Sequence, residues 1–395
     1  RERRFLVSQK KDKHAGLDAL REDLQAIDRE MMALLSRRIV LSEKVYREKK
    51  ALLREIYDGD QQARKLEALK ADEDPIVRRF GPPLQSTLMR LSREKQYALA
   101  RPESMDWDLG KLIEDGKNHR VSVQVVATQG NAYSYSAKAA TKLFPGRAYV
   151  PYRTFEEAIL SVVRRRADAA VLPLENSTAG TVDDVYQLIQ NTNLYITDAL
   201  KMPVSHCLLV PPGMRFEDIT TVTSHRQALA QCSHRIKEEG WMSLEALNTA
   251  FAAQDVAEKR QPGMAAIATE DAADHLEILD EEIANTKKNE TRFVVVRRHL
   301  QISEDADTLS LLIRLPHSAG SLVSIMNIFS DSGLNLSKIQ SIPIPRNPWE
   351  YYFYIDCECE PENPAIADVL YQLQHECREL RLLGWYKEEH LPTQA

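Results

Sequence analysis

The chain is poor in the residues that usually bind metal ions and nucleotide phosphates. Its 395 residues include five cysteines and 14 glycines. The cysteines are odd in number and scattered, without a C-x-x-C pair, so buried thiols explain them better than disulfides or a zinc site. The glycines never form G-x-G-x-x-G, and neither Gly-Lys-Ser nor Gly-Lys-Thr occurs, so the usual phosphate cradles are missing. We therefore expect no metal and no cofactor.

Long apolar runs and an excess of positive charge are also absent. No apolar run approaches the roughly 20 residues of a membrane-spanning helix, and no signal-peptide core follows the basic start. The formal net charge of −6 argues against general binding of nucleic acid, which needs a basic face. We predict a cytoplasmic protein without membrane or nucleic-acid partners.

The residues that are present predict several domains, because 395 residues with 43% apolar side chains exceed a single hydrophobic core. Helical spacing is followed by a stretch that lacks periodicity and contains Pro102, Gly110 and Gly116, and then by alternating strands and helices. The last part has the βαββαβ order of a ferredoxin-like fold. The predicted parts are a basic tail (1–16), a helical domain (17–100), a linker (101–118), a two-lobed α/β domain (119–300) and a ferredoxin-like domain (305–390).

The helical domain is predicted to begin with one long helix over residues 17–53, followed by helices over 61–71 and 82–99. Arg38 lies on the apolar seam of the long helix, and Lys49 is only about 20° away around its axis. A buried cation needs an anion, either a ligand or a carboxylate of a neighbouring helix. The helix would span roughly 55 Å, whereas its domain is only roughly 30 Å across. We therefore expect a second subunit, in a homodimer or homotetramer.

Ser92 and Gln96 form a polar pair at i and i+4 on a later helix. Together with Arg38, Lys49 and the Tyr57-Asp58 pair, this pattern resembles the all-helical chorismate mutase family. The resemblance implies rearrangement of chorismate to prephenate, a pericyclic reaction that needs a shaped, charge-stabilising pocket and no nucleophile. The implied chorismate-binding residues are Arg21, Arg38, Lys49, Asp58, Gln62, Ser92 and Gln96, with Lys49 and Gln96 as catalytic donors to the ether oxygen.

Two details of this resemblance bear on activity. Arg21 lies roughly 260° from Arg38 around the helix, and the family's arrangement implies that Arg21 reaches the site of the partner subunit. After Asp58 the family has an Arg-Glu pair, whereas this chain has Gln61-Gln62. Glutamine can still accept a hydrogen bond from the substrate hydroxyl. A dehydratase with a weakened or inactive mutase domain is the alternative.

Three motifs occur in order in the α/β region: Pro-Leu-Glu-Asn-Ser-Thr-Ala-Gly at 173–180, Ser-His-Arg-Gln-Ala-Leu-Ala-Gln-Cys at 224–232 and Thr-Arg-Phe at 291–293. Singly, such segments are often helix caps or strand starts. Together they resemble the prephenate dehydratase family. The resemblance implies a prephenate pocket formed by Asn176, Ser177, Thr178, Ser224, Gln231, Thr291, Arg292 and Phe293.

The implied reaction removes the ring hydroxyl of prephenate as water and its ring carboxylate as CO2. The protein needs only to help the hydroxyl leave, and Thr291 can donate a hydrogen bond to it, which makes it the predicted catalytic residue. We interpret His225, a lone histidine before a helix, as a capping or packing residue rather than the acid. Because solute-binding proteins also have a two-lobed cleft, a non-catalytic amino-acid sensor is a further alternative.

Residues 305–390 resemble an ACT regulatory domain, with Gly-Ser-Leu-Val at 320–323 in place of its usual Gly-Ala-Leu-Val. The resemblance implies L-phenylalanine as allosteric ligand, bound by Gly320, Ser321, Leu322, Val323, Asn335 and Leu336. The usual Glu-Ser-Arg-Pro segment reads Gln-Ser-Ile-Pro at 340–343, from which we expect weakened inhibition. The expected fold is thus multidomain α and α/β: an all-helical chorismate mutase domain, a periplasmic-binding-protein-like dehydratase domain and a ferredoxin-like ACT domain, in a bifunctional enzyme of phenylalanine biosynthesis.

Overall fold

The computed structural model describes residues 2–102, 106–286, 288–316, 320–344 and 349–391, with side chains from residue 17 onward. Arg1 of the predicted tail lies outside these ranges. The chain divides into two compact units. The first comprises Arg1–Glu103, Gly320–Ile328 and Pro364–Cys377, and the second Ser104–Ala319, Phe329–Asn363 and Arg378–Ala395.

The α-helices of the described residues are α1 (Glu2–Ala51), α2 (Gly59–Lys70), α3 (Pro75–Ala100), α4 (Asp108–Asn118), α5 (Tyr135–Leu143), α6 (Phe155–Val163), α7 (Asp183–Gln190), α8 (Arg226–Gln231), α9 (Ser233–Glu238), α10 (Thr249–Lys259), α11 (Ser321–Asp331) and α12 (Ile366–Glu376).

The strands are β1 (Val125–Gln129), β2 (Ala148–Tyr152), β3 (Ala169–Asn176), β4 (Gly180–Thr181), β5 (Tyr195–Pro203), β6 (Cys207–Val210), β7 (Thr221–His225), β8 (Met242–Ala246), β9 (Met264–Ala268), β10 (Glu277–Asp280), β11 (Glu290–Arg297), β12 (Thr308–Arg314), β13 (Asn335–Pro343), β14 (Tyr351–Glu358), β15 (Glu379–Tyr386) and β16 (Glu388–His390).

Helix α1 is longer than its apolar spacing predicts, because it begins at Glu2 and includes the segment expected to be a tail. Arg, Lys, Leu and Glu are good helix formers, and Gly16 costs only about 1 kcal/mol inside a helix. Its apolar stripe stays largely uncovered: Leu20, Leu24 and Ile27 are 61%, 60% and 53% exposed. The stripe is therefore free to pack against another surface.

Helix α3 packs against α1, α2 and α12 within the first unit. It starts at Pro75, earlier than predicted, because Asp74 caps it by accepting from the Ile76 amide at 2.8 Å and Pro75 suits the first helical turn. Pro82 and Pro83 lie inside the helix rather than at its start. The predicted start of the helix at residue 82 is therefore wrong, because it took these internal prolines for the first helical turn.

The predicted linker contains helix α4, which corrects the expectation of an irregular segment. Leu109 and Ile113 are buried, and Gly116 packs so tightly that a Cβ there would lie 2.8 Å from Leu300. Glycine serves close packing here and not a turn. A helix this short, with glycine on its buried face, has too weak a periodicity to be recognised.

The second unit contains two sheets that form the two lobes. The first sheet follows the order β13-β14-β12-β15-β5-β11-β3-β1-β2, and the second the order β10-β6-β9-β7-β8. Strand β11 returns from the second lobe and pairs antiparallel with both β3 and β5. The apolar runs 169–172 and 293–296 are almost fully buried, which explains their unbroken hydrophobicity.

The C-terminal strands extend the first sheet. The elements β12, α11, β13, β14, α12 and β15 follow one another in the predicted order. Strand β15 joins β5 through the pair Gly384 and Ile196, and β16 pairs with β5 beside it. A Cβ on Gly384 would lie 2.1 Å from the carbonyl oxygen of Ile196, so only glycine permits this junction.

Candidate functional sites

A cavity of about 450 Å³ opens between α1, α2 and α3. Arg21, a predicted chorismate-binding residue, does not line it, because this side chain is exposed and Nη1 lies 3.1 Å from Asp18 Oδ1. The other predicted residues all do. They are Arg38, Lys49, Asp58, Gln62, Ser92 and Gln96.

The two predicted cations of this cavity have neutral partners. Arg38 Nη1 donates to Ser92 Oγ at 2.7 Å, and Lys49 Nζ donates to the carbonyls of Glu55 and Ile56 at 3.0 and 2.6 Å. Burial lowers the pKa of both side chains. Within the described part of the chain Arg38 forms no ion pair, so the alternative of a carboxylate on a neighbouring helix is not realised there. Both cations are therefore available to bind an anionic ligand.

Asp58 and Gln96 contribute oxygen acceptors to the cavity. Asp58 caps α2 by accepting from the Gln61 amide at 2.9 Å. Gln96 is 6% exposed, and its Oε1 has no hydrogen-bond partner among the described residues. A buried amide oxygen without a partner is costly. It is therefore a group that a ligand hydroxyl or a water would satisfy.

Arg93 is a cavity residue that the sequence did not reveal. Its Nη1 donates to Gln62 Oε1 at 3.0 Å, while Nε and Nη2 donate to Glu376 at 2.9 and 3.2 Å. The guanidinium also lies 5.2 Å from the centre of the Tyr57 ring. Its position beside Ser92 was a weak sequence signal for a cavity residue. Its carboxylate partner, Glu376, is too remote in sequence to have been recognised.

A second cavity, of about 470 Å³, lies between the two lobes of the second unit. Strands β3 and β11 meet at its floor, where Asn176 and Thr291 are direct neighbours in register. The predicted residues that line it are Asn176, Gln231, Thr291 and Phe293. Sequence reasoning missed several others, among them His206 and Arg153.

Asn176 is the centre of a hydrogen-bond network on this floor. Its Oδ1 accepts from the backbone amides of Thr178 and Ala179 at 3.1 and 3.0 Å. Backbone amides can only donate, which fixes the orientation of the side-chain amide. Nδ2 therefore faces β11 and donates to Thr291 Oγ1 at 2.9 Å and to Asn289 Oδ1 at 2.7 Å.

Gln231 joins the two lobes from α8. Its Nε2 donates to Asn176 Oδ1 at 3.2 Å and to Thr178 Oγ1 at 2.5 Å. Its Oε1 lies 2.7 Å from His206 Nε2, which must carry the proton for this contact to be a hydrogen bond. Burial lowers the pKa of His206, so its imidazole is neutral near pH 7. Thr178 thus contributes to the network without lining the cavity.

Besides Thr178, three predicted pocket residues do not line the cavity. Ser224 is fully buried and donates to the carbonyl of Ile267 at 2.5 Å. Ser177 Oγ accepts from the Glu290 amide at 2.9 Å, and Arg292 points to the opposite face of the sheet. Ser177 and Arg292 line a different cavity of about 270 Å³. A sequence motif does not show which of its residues face the cavity, because successive side chains of a strand point to opposite faces of the sheet.

The predicted interpretation of His225 agrees with the structure. Its Nδ1 accepts from the Gln227 amide at 3.4 Å and caps α8. Burial lowers its pKa, which disfavours a role as a proton donor near neutral pH.

The predicted effector residues belong to both units. In the first unit, Gly320 has a φ of +85° just before α11, and Leu322 and Val323 are 36% and 62% exposed. In the second unit, Asn335 is exposed and Leu336 half-buried at the start of β13. Ser321 is the first residue of α11.

Comparisons with known proteins support both enzymatic assignments. The family model described as Chorismate mutase type II matches residues 20–97, and that described as Prephenate dehydratase matches residues 126–301. The bifunctional chorismate mutase/prephenate dehydratase of Enterobacter agglomerans is 30% identical over 387 residues, which cover 94% of this chain and 96% of the relative.

Two solved structures resemble the dehydratase part. The prephenate dehydratase from Arthrobacter aurescens in complex with L-Phe matches with a TM-score of 0.62 at 29% identity, covering 66% of this chain and 89% of that chain. GqqA, described as a novel type of quorum quenching acylase, matches with a TM-score of 0.62 at 30% identity, covering 67% and 98%.

Fold and sites therefore define an enzyme that carries an isomerase and a lyase on one polypeptide. The chain belongs to the bifunctional chorismate mutase/prephenate dehydratase family. It rearranges chorismate to prephenate and converts prephenate to phenylpyruvate in phenylalanine biosynthesis. Within the described ranges, no helix is long and apolar enough to cross a membrane, and no group of three or more His, Cys, Asp or Glu side chains is arranged around a metal position.

Proposed function

We propose that the cavity between the lobes is the dehydratase site and that Thr291 donates the hydrogen bond to the leaving hydroxyl. The observation that carries this proposal is the contact between Asn176 Nδ2 and Thr291 Oγ1. Because Thr291 accepts there, its own hydroxyl hydrogen is left for another acceptor, and no described residue takes it. A substrate hydroxyl at the cavity floor fits that position.

The polarity of the floor supports the second half of the reaction. Decarboxylation is helped when the departing ring carboxylate is not stabilised as an anion. Asn176, Gln231 and Thr291 are neutral, so they orient oxygen atoms without pairing with that charge. Arg153 is exposed at the cavity wall, where we expect it to bind the side-chain carboxylate, which is retained in the product.

The experiment is a comparison of Thr291→Ala with Thr291→Ser. The alanine variant should lower the kcat of phenylpyruvate formation by roughly 10²-fold, a typical effect of losing a positioned proton donor, whereas serine retains the hydroxyl and most activity. Mutase activity, measured on the same sample, reports whether the chain is folded. Near-normal phenylpyruvate formation by the alanine variant would reject this role.

For the mutase we propose that chorismate binds in the cavity of the first unit. Arg38 and Lys49 supply positive charge and have no ion-pair partner among the residues that the structure describes. Gln96 and Lys49 are the donors to the ether oxygen. Asp58, Gln62 and Ser92 complete the polar wall. Arg93 brings a further guanidinium next to Gln62, where the family's Arg-Glu pair is missing. A pericyclic step needs only this pre-organised charge.

We further propose that the functional particle is a homodimer or homotetramer. The uncovered apolar stripe of α1 supports this, since exposed apolar patches of this kind are typical of subunit interfaces. Arg21 lies on the exposed part of the same helix, away from the cavity of its own chain. In this proposal it reaches the cavity of the partner subunit.

Residues 305–390 are, in this proposal, a ferredoxin-like ACT domain that binds L-phenylalanine. The order of its elements and the strand order β13-β14-β12-β15 support this assignment. The L-Phe bound to the Arthrobacter relative supports the choice of ligand. The proposed effector residues are Gly320, Ser321, Leu322, Val323, Asn335 and Leu336.

The acylase description of GqqA suggests a different activity for the cavity. Acyl transfer through a serine or threonine needs a base in hydrogen-bond contact with the nucleophile. Within the described residues, His206 contacts Gln231 and His225 contacts a backbone amide, so neither histidine activates a hydroxyl. No observation in this chain favours acyl transfer.

A further inference from the structure

The two strands that form the floor of the dehydratase cavity carry charged residues on their other face. Asn176 pairs in register with Thr291, and Glu175 pairs in register with Arg292. Since successive side chains of a strand point to opposite faces, Glu175 and Arg292 lie directly behind the cavity pair. The pairing of β11 with β3 shifts register between Arg292 and Phe293, directly after this pair. Such bulges re-aim side chains and are common beside active sites.

Both charged residues are bound by the C-terminal strands. Lys338 on β13 lies 2.5 Å from Glu175, and Asp356 on β14 lies 2.5 Å from Arg292. Arg292 also donates to Tyr386 on β15 at 2.9 Å and forms an ion pair with Glu388 on β16.

The Arg292 contact is shielded from water, and the Glu175 contact is shielded on one side only. The side chains of Arg292 and Asp356 are 6% and 10% exposed, whereas Lys338 is 12% and Glu175 36% exposed. Asp356 is held in turn by Ser310 on β12, whose hydroxyl donates to it at 2.5 Å. Separation of a buried ion pair leaves uncompensated charge, so the contacts oppose displacement of either strand end.

We propose that Glu175 and Arg292 are positioning residues for dehydration, and that Lys338 and Asp356 of the C-terminal strands hold them. Through the backbone they fix the ends of β3 and β11, which keeps Asn176 Nδ2 and Thr291 Oγ1 in contact. A displacement of about 1 Å at reacting groups can cost on the order of 10²-fold in rate. The inference rests on the proposed role of Thr291. It makes the rate of dehydration depend on the C-terminal strands.

The test uses the full-length enzyme with Lys338→Met and Asp356→Asn, which remove one charge each and touch no residue of the cavity. Contacting groups usually show coupling equivalent to roughly two- to a hundred-fold in an equilibrium or rate. We expect dehydratase kcat to fall roughly three- to thirty-fold in each variant. KM for prephenate should stay within about twofold, and mutase activity should be unchanged.

Glu350→Gln is the matched control. It breaks the ion pairs of Glu350, which precedes β14, with Arg314 and Arg378. Glu350 lies six residues from Asp356 along the chain, roughly 20 Å in extended conformation. Its partners Arg314 and Arg378 belong to neither β3 nor β11. This variant should keep its dehydratase kcat. An equal fall in the control would mean a general structural effect and would overturn the inference.

A charge exchange provides the rescue. Glu175→Lys with Lys338→Glu restores an ion pair at the same place, so its kcat should exceed that of either single variant. If Asp356→Asn does not fold, the Lys338 and Glu175 variants still decide the matter. Unchanged kcat in folded Lys338→Met and Asp356→Asn would overturn the positioning role alone. Retained activity of Thr291→Ala would instead overturn the catalytic assignment.

Discussion

Asn176 determines how the hydroxyl of Thr291 can be used. Because the backbone amides of Thr178 and Ala179 donate to Asn176 Oδ1, its Nδ2 faces β11. Thr291 Oγ1 therefore accepts from the protein, and in the proposed mechanism its hydroxyl donates toward the cavity. Glu175, one residue before Asn176, and Arg292, one residue after Thr291, are excluded from the cavity by strand alternation. The same motif thus supplies both cavity residues and supporting residues.

Asp198 on β5 allows a test of the effect of burial on stability. Burial raises its pKa to about 6, although Thr197 donates to it at 2.8 Å. The unfolded carboxyl titrates near 4, so ionisation is penalised only in the folded state. The penalty is complete above about pH 6 and vanishes below about pH 4.

We therefore predict that Asp198→Asn stabilises the enzyme at pH 8, by at most about 3 kcal/mol, and by about half as much at pH 5. Urea unfolding at both pH values measures the difference. Asp115→Asn, at an exposed position of α4, should have little effect at either pH. A stabilisation by Asp198→Asn that is larger at pH 5 than at pH 8 would contradict a raised pKa of Asp198 in the folded state.

Helices α3 and α12 are joined by the ion pair of Arg93 and Glu376, whose side chains are only 9% and 5% exposed. Gln372 also donates to Glu376, at 3.0 Å. Replacement of the carboxylate leaves the guanidinium of Arg93 buried without a counter-charge. Removal of one partner of a buried pair commonly costs about 3–5 kcal/mol.

We predict a loss of that size for Glu376→Gln, measured as the free energy of unfolding of the full chain. The control is Glu43→Gln, which breaks the pair with Lys95, whose side chains are 31% and 40% exposed. Exposed pairs are worth only about 0–1 kcal/mol, so the control should remain close to the parent. Equal effects of the two substitutions would show that burial does not decide the strength of these pairs.

Element boundaries show where pattern reasoning succeeds and fails. The strands β3 and β11 were predictable because both faces are buried and the apolar runs are unbroken. Helix α4 was not, because Gly110 and Gly116 serve packing rather than turns. The start of α3 was misplaced because Pro82 and Pro83 lie within a helix that Asp74 already caps. Local signals thus fail where tertiary contacts outweigh propensity.

At the scale of the whole molecule, the exposed stripe of α1 leads to a prediction about shared mutase sites. Arg21→Ala and Arg38→Ala should each abolish most mutase activity. Mixed after unfolding and refolding together, the two variants should regain activity, because some hybrid dimers contain one intact site. Hybrids detected by a size tag but no more active than either parent would place both arginines in the site of one chain.

The C-terminal strands lead to a prediction about L-phenylalanine. Ile342 replaces a usual arginine and is 2% exposed in the apolar core, where it offers no charge for communication. We expect L-phenylalanine to bind and raise the melting temperature, and yet to inhibit dehydration incompletely. Allosteric coupling is typically about 1–3 kcal/mol, so loss of one charged interaction can remove most of it.

Calorimetric titration beside an inhibition curve separates the two parts of this prediction. Complete inhibition at saturating phenylalanine would contradict the weakened coupling. Absence of binding at millimolar concentration would contradict the ligand itself. Asn335→Ala, in the proposed effector site, should weaken binding and leave the uninhibited rate unchanged.

The sequence alone determined the chain's two chemistries and most of its elements, because these depend on local information: periodicity, capping residues and ordered motifs. The tertiary structure decided which motif residues face the cavities. Ser224 is fully buried, and Arg292 points to the face of the sheet opposite the dehydratase cavity. Arg93, which no sequence motif indicated, lines the cavity of the first unit. Strand face, helix rotation and partners remote in sequence are set by packing of the whole chain, which no short segment contains.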